Sequence, residues 1–201
     1  SEQDKEIYQL LNQVGASSAR FFANAIDTET KGIDAVLTYQ DQIGKGNLRV
    51  DLAGTFSKTN IVGDVHSSTI LAGKESSYLD RASRIYIESA TPRVKVNLGI
   101  NYSLDKWSFL VRNVYFGSTD AATNVEADAQ TYDPRIITDL VVGYDLNKNL
   151  KLSLGSNNVF DIYPDKNNAG NRGAGYFIYS RTGQQFGFNG RYVFARVGLT
   201  I

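Results

Sequence analysis

The feature that most restricts this chain is a two-residue alternation of apolar and polar side chains, repeated in short runs along its length. Successive side chains of an extended strand point to opposite faces, so each run builds a strand with one apolar and one polar face and does not suit a helix. Leu140, Val142, Tyr144 and Leu146 alternate with Asp139, Val141, Gly143 and Asp145; after Asn147-Lys148-Asn149, Leu150, Leu152 and Leu154 alternate with Lys151, Ser153 and Gly155. This reads as strand, three-residue turn, strand. Ile33, Ala35, Leu37 and Tyr39 oppose Asp34, Val36, Thr38 and Gln40; Leu48, Val50, Leu52 and Phe56 oppose Arg49, Asp51, Ala53 and Thr55. Val94, Val96, Leu98, Ile100 and Tyr102 alternate with Lys95, Asn97, Gly99, Asn101 and Ser103, and Trp107, Phe109, Val111 and Tyr115 with Ser108, Leu110, Arg112 and Val114. With a strand from Ala19 and a last one over residues 190–201, the expectation is about eight antiparallel strands.

Their connections alternate in length. Short turns near residues 43, 105 and 148 separate long links over 60–91, 118–133 and 162–184. The link at 28–31 is expected to be a further tight turn, short where a long one is allowed. The 60–91 stretch reads as a long loop, and Gly170, Gly173 and Gly175 as a flexible one. Short connections on one rim and long ones on the other are the pattern of a transmembrane β-barrel. Direction and phase then place Tyr39, Tyr102, Trp107 and Tyr144 at the short-turn end of their strands, and Phe56 and Tyr115 at the other end, all on the aliphatic face. Aromatic residues so placed form girdles at the two membrane interfaces.

The opposite face carries Asp34, Arg49, Asp51, Lys95, Arg112, Asp139, Asp145 and Lys151. Burying these ions in a dry core costs several kcal/mol each unless they are well paired. An eight-stranded barrel closed on itself has an interior just wide enough for side chains to fill, so this much charge points to a segment of a wider, wet barrel. The fold expected is all-β, an antiparallel transmembrane β-barrel segment of about eight strands.

Composition narrows the function. Lys plus Arg equals Asp plus Glu at 21 each, which gives no electrostatic preference for nucleic acid. Cys is absent and His66 is the single histidine, so thiolate metal sites and Cys nucleophiles are excluded, and a Ser-His-Asp relay or a metal site has little to draw on. No catalytic residue, metal site or cofactor is expected, and the chain does not read as an enzyme. No run approaches the roughly 20 apolar residues of a membrane helix. Met is absent and the chain opens on Ser1-Glu2-Gln3-Asp4-Lys5-Glu6 without a signal-like apolar segment, so the native amino terminus is expected upstream. Residues 1–18 read as a tail or periplasmic turn, with a short helix through Ile7, Tyr8, Leu10 and Leu11 ended by Gly15; residues 19–201 hold the strands.

Four patches resemble the barrel of TonB-dependent outer-membrane receptors: Phe21 to Asp34, with its Asn24-Ala25 and Thr30-Lys31-Gly32-Ile33-Asp34; Pro92-Arg93 with Asn113 to Gly117; Asn157-Asn158-Val159-Phe160-Asp161; and the closing run Gly190 to Ile201. The resemblance implies the last eight strands of a barrel of about 22, in the bacterial outer membrane, plugged by an N-terminal domain that lies outside this sequence. It implies import of a small-molecule cargo such as an iron-siderophore complex or other metal chelate, driven through TonB, with outer-membrane lipid, TonB and the plug as partners and no nucleic acid. The family's final residue is usually aromatic; Ile201 departs from that. Ligand contacts are expected in the long links, at Tyr78, Arg81 and Arg84 and at Arg172, Tyr176, Tyr179 and Arg181, because Arg and Tyr favour binding surfaces. Two other readings fit the pattern less well: a self-contained eight-stranded outer-membrane barrel with a structural or adhesive role, and a soluble ligand-binding β-barrel.

Overall fold

The computed structural model describes residues 9, 11–13, 15, 24–66, 73, 75–77, 79–183 and 185–200. Its centre is one antiparallel sheet of seven strands: β1 (Asp27–Ile43), β2 (Gly46–Val62), β3 (Val94–Leu104), β4 (Trp107–Phe116), and then, beyond a side ribbon of β5 (Thr119–Ala121) and β6 (Gln130–Tyr132), β7 (Arg135–Asp145), β8 (Leu150–Asn157) and β9 (Tyr192–Leu199). Each wall strand pairs with the next along the chain, and β1 and β9 do not pair with one another. The wall is therefore an open segment of a barrel, not a barrel closed on itself. Because the neighbours are antiparallel, the turns at Gly44-Lys45, Asp105-Lys106 and residues 146–149 share one rim, and the long links share the other.

The tight turn expected at residues 28–31 does not exist. Thr28, Glu29, Thr30 and Lys31 continue β1 and pair with Ile61, Asn60, Thr59 and Lys58. The glycine that reads as turn punctuation serves a close approach instead: a Cβ on Gly32 would stand 2.6 Å from the carbonyl oxygen of Phe56. The arm expected before it, from Ala19, falls largely outside the described residues, as does most of the expected N-terminal helix; Gln9 and residues 11–13 are helical. The stretch read as a long loop over 60–91 also differs. β2 runs on to Val62, and α1 (Arg81–Ser89) follows. The helix escapes a periodicity search because it is short and none of its residues is buried.

Register carries the alternation coherently across the wall. Val50 pairs with Ile100, Ile100 with Val111 and Val111 with Leu140; Tyr102 pairs with Phe109, Phe109 with Val142 and Val142 with Leu154. A slip of one residue in any pair would send its apolar set to the other face. The aliphatic face covers no core: Ile33 is 72% exposed, Leu154 62% and Val197 67%. Among the described residues the buried apolar side chains are Leu79, Ala90, Ala121 and Tyr132, all in the long links. A soluble sandwich would bury Val96, Leu152 and Val197 between two layers; this sheet is a single layer that leaves them accessible from outside.

The other face lines a hollow of about 730 Å³ walled by residues such as Gln40, Asn47, Arg49, Asn101, Ser103 and Lys151. Six of the charges expected on this face are paired along or across strands, while Lys95 Nζ lies 5.1 Å from the centre of the Phe116 ring. Arg49 Nε lies 2.7 Å from Asp51, Lys151 Nζ lies 3.5 Å from Asp145 directly opposite, and Arg112 holds Asp139 with two guanidinium nitrogens. The face is mixed rather than uniformly polar, since Val36, Val114 and Ile137 share it.

The two faces predict opposite responses to one change. Ile100→Arg, on the aliphatic face, is expected to cost about 2–4 kcal/mol in a lipid-embedded wall. Asn97→Arg, three residues away on the other face, is expected to stay within about 0.5 kcal/mol. Denaturant unfolding of the full-length protein in lipid vesicles measures both, and equal costs would contradict the assignment of faces.

Candidate functional site

The long links do not hang free from the wall; they fold on one another through buried polar side chains. β8 ends at Asn157, and Asn158 takes a left-handed conformation at φ 49°. Its side-chain amide donates to the Ile162 carbonyl at 2.7 Å and accepts from the Ile162 N–H at 2.9 Å, imitating a backbone pair. Its own N–H donates to Asp139 Oδ1 at 2.8 Å, while Asp139 Oδ2 receives Arg112. Asp161 then accepts from the Arg191 N–H at 2.8 Å, one residue before β9 begins. The Asn158 to Asp161 segment thus both ends one wall strand and aims the next.

Above this clamp, the β5–β6 ribbon and the 158–191 link share a centre. Thr119, 1% exposed, donates to the Gly183 carbonyl at 2.6 Å, and Tyr132, 2% exposed, donates to Asn167 Oδ1 at 2.6 Å. Asn167 in turn holds the Asn171 and Phe177 carbonyls, and Gln185 Nε2 reaches the Gly117 and Asp133 carbonyls. Burial pushes the Tyr132 phenol above its ordinary pKa. Gly170, expected in a flexible loop, backs directly onto the Asp128 side chain, whereas nothing lies within 4 Å of a Cβ at Gly175.

The expected ligand residues fall in two places. Arg81 and Arg84 lie in α1 and, with Ser76, Leu79, Asp80 and Asn124, line a hollow of about 510 Å³. Arg81 Nη1 donates to the Thr123 carbonyl at 3.2 Å; Arg84 is exposed. Tyr78 lies outside the described residues. In the other link, Arg172 Nε is tied to the Asn167 carbonyl at 3.0 Å, and the Arg181 guanidinium lies 4.1 Å from the centre of the Phe177 ring. Tyr179 stacks between Tyr163 and Phe188, with ring centroids 6.4 and 5.4 Å away, and Tyr176 is 82% exposed. None of Arg172, Tyr176, Tyr179 or Arg181 lines the arginine hollow. Sequence reasoning missed Asp80 and Asn124, which build that hollow, and Tyr163 and Phe188, which complete the stack. The aromatic density of residues 160–188 was the available signal for the second pair.

Asp80 caps α1. Its Oδ1 accepts from the Ser83 N–H at 2.7 Å and its Oδ2 from Asn124 Nδ2 at 2.8 Å, while Asn124 Oδ1 accepts from the Ala82 N–H. These bonds, the Ser83 side chain foremost and then Asn124, hold the Asp80 carboxyl below its usual pKa. The helix that carries both arginines is thereby fixed to the link after β4.

At the short-turn rim the expected aromatic residues gather. Trp107 and Tyr144 are register partners with ring centroids 4.7 Å apart, Tyr102 donates to the Ile43 carbonyl at 3.3 Å, and Tyr39 donates to Asp41 at 2.6 Å. The Tyr102 ring occupies the space a side chain at Gly46 would need. Phe56 and Tyr115 stand toward the opposite rim, in β2 and β4. His66 serves structure: its Nε2 lies 2.9 Å from Asp27 Oδ2 and its N–H donates to the Ala25 carbonyl. Among the described residues no group of three or more His, Cys, Asp and Glu is placed to hold a metal ion.

The family model for the β-barrel of TonB dependent receptor-like proteins matches residues 1–159. The chain belongs to the TonB-dependent receptor family. Its members are outer-membrane receptors and transporters rather than enzymes. Solved structures show the same fold. The ferripyoverdine receptor of the outer membrane of Pseudomonas aeruginosa, bound to ferripyoverdine, has 17% identity and a TM-score of 0.55 over 94% of this chain and 22% of its own. The P. aeruginosa FpvA–pyoverdine–iron complex has 19% identity and a TM-score of 0.55 over 86% and 20%, and the ferric enterobactin receptor of the same organism 16% and 0.52 over 85% and 22%. The chain thus spans about a fifth of the length of these receptors. No curated protein matches it by sequence.

For this receptor segment, Asp80→Ala is expected to cost α1 about 1 kcal/mol and to speed amide exchange in residues 81–84. Since the folded pKa of Asp80 is depressed, its contribution is complete above the unfolded value of about 3.9 and is lost as pH falls through the lower folded value. Hydrogen exchange of α1 at neutral pH, with Asp80→Asn as the conservative partner, checks this; no change in either variant would remove the cap from the account.

Proposed function

We propose that this chain is part of an outer-membrane receptor that binds a small metal chelate, such as an iron-siderophore complex, and imports it by transport coupled to TonB. The observation that carries the reading is the conjunction of a single-layer, two-faced wall with a rim of interlocked links that presents arginine and aromatic side chains. A wall polar on its concave side suits a wet passage, and the rim suits capture of an anionic, partly aromatic cargo. The solved structures of similar fold include receptors for ferripyoverdine and ferric enterobactin, which supports this cargo class. The plug domain and TonB are the partners the reading requires, through parts of the receptor outside this sequence.

In this account Arg81 and Arg84 supply positive charge over the hollow beside Asn124, and Tyr176 and the Tyr163–Tyr179–Phe188 stack supply flat apolar surface in the neighbouring link. Arg172 and Arg181, held by Asn167 and Phe177, position that second surface. Tyr39, Tyr102, Trp107 and Tyr144 anchor the wall at one membrane interface, and Phe56 and Tyr115 at the other.

The test uses the full receptor in cells that lack other iron-chelate receptors, with radioactive iron loaded on a panel of siderophores. Uptake of at least one chelate is expected to require both the receptor and TonB. Arg81→Ala with Arg84→Ala is expected to weaken its binding about tenfold or more, about 1.4 kcal/mol. Uptake of no chelate would overturn the cargo class. Uptake with unchanged affinity in the double variant would remove the two arginines from the site.

A further inference from the structure

β1 and β2 have 17 residues each, whereas β3, β4 and β7 have 11, 10 and 11. A membrane-spanning strand needs about 9–11 residues, a length that Ile33–Ile43 already supplies. The remaining turns of the ribbon, Asp27 to Gly32 and Ser57 to Val62, therefore stand beyond the apolar band at the rim of the long links. The change is abrupt on the aliphatic face. Ile33 pairs with Phe56; the next pair on the same face is Lys31 with Lys58; the next is Glu29 with Asn60.

Two lysines directly opposite across a strand pair repel one another, because their Cβ atoms lie only about 5 Å apart. One carboxylate offsets them: Glu29 Oε2 lies 2.8 Å from Lys31 Nζ. Among the described residues no ion pair neutralises Lys58, and both lysines are exposed. Gly32 leaves the ribbon little freedom to separate them, since it lets the β1 backbone close on the Phe56 carbonyl. Thr30 and Thr59 fasten the opposite face of the ribbon by a hydroxyl–hydroxyl bond of 2.8 Å. The pair thus sits about 7 Å along the strands from the last apolar pair, and its long flexible stems leave the ammonium groups free to reach a phosphate beyond the apolar band.

We propose that Lys31 and Lys58 together bind the phosphate of an anionic lipid headgroup in the outward leaflet. The phosphate bridges the two ammonium groups, relieves their repulsion, and fixes the β1–β2 ribbon at the membrane surface. The inference rests on the reading of this sheet as an outer-membrane wall. A lipid is favoured over a free anion because the same face, immediately below, is the apolar surface on which acyl chains would lie.

The full receptor is reconstituted in vesicles of phosphatidylcholine containing either diphosphoryl lipid A or its dephosphorylated form, repurified, and the lipid retained per receptor counted by native mass spectrometry. Wild type is expected to retain the phosphorylated lipid preferentially. Lys31→Gln with Lys58→Gln is expected to weaken retention about thirtyfold, and Lys31→Arg with Lys58→Arg to preserve it. Glu29→Gln, which keeps both lysines and removes the competing carboxylate, is expected to raise retention, and it stands as the test should the double glutamine variant fail to fold. Equal retention of the two lipids by wild type, an unchanged double glutamine variant, or no gain in Glu29→Gln overturns the proposal. Inorganic phosphate in the buffer is expected to displace nothing; displacement would assign the site to free phosphate and overturn the lipid assignment. Failure of the wall reading itself shows differently, as a wild-type receptor that does not insert into the vesicles.

Discussion

The structure depends on backbone pairing that never loses phase. Seven strands are joined by antiparallel ladders, and in each the residue facing outward meets another outward residue, from Leu37 against Leu52 to Leu152 against Val197. Hydrogen bonds between strands satisfy the peptide groups, which in lipid would otherwise cost several kcal/mol each. Side-chain burial contributes little to holding the wall, since it has no second layer to pack against. This inverts the usual order of causes in a globular domain, where a core forms and the ladders follow. Here the ladders fix the faces, and the surroundings on each side select what those faces carry.

The exceptions obey the same constraint. Asn113 and Thr138 are polar residues on the aliphatic face, and they stand opposite one another with Thr138 Oγ1 donating to Asn113 Oδ1 at 2.7 Å. Two groups that would each be costly in an apolar setting thus satisfy part of one another's need. Where β2 outruns β3, its freed N–H groups find other partners. Ser57 N–H reaches the Arg93 carbonyl, and Ile61 N–H reaches Glu88 of α1 at 2.8 Å. The helix therefore finishes a ladder that the shorter strand leaves incomplete, which ties the arginine-bearing hollow to the wall.

Legibility in the sequence follows from how local each cause is. The wall strands, the short turns and the placement of Tyr102, Trp107 and Tyr144 are set by period, turn chemistry and direction, all of which a single stretch displays. Gly32 misleads because a glycine beside Thr and Lys has two physical uses, a turn or a close backbone approach, and the choice is made by Phe56, more than twenty residues along the chain. α1 is hidden for a related reason. Its capping aspartate is visible, but the group that makes the cap rigid is Asn124, from the link after β4. The arrangement of Tyr132, Asn167 and Gln185 has no period at all; each bond joins different links, and only the folded chain brings them together.

The rim is built differently from the wall, and this bears on how the long links are held. Beside the few buried apolar side chains, its centre is made largely of amides and hydroxyls, so much of its stability comes from directed bonds that tolerate little displacement. Asp139 joins the two regimes: one carboxylate oxygen takes Arg112 from the polar face of the wall, and the other takes the N–H of Asn158, where the last link begins. A displacement of the 158–191 link therefore acts directly on the Arg112–Asp139 pair of the wall. The physical route from rim to wall is this short: Asn158 to Asp139 to Arg112. A rim packed by aliphatic side chains would spread the same displacement over many weak, non-directional contacts.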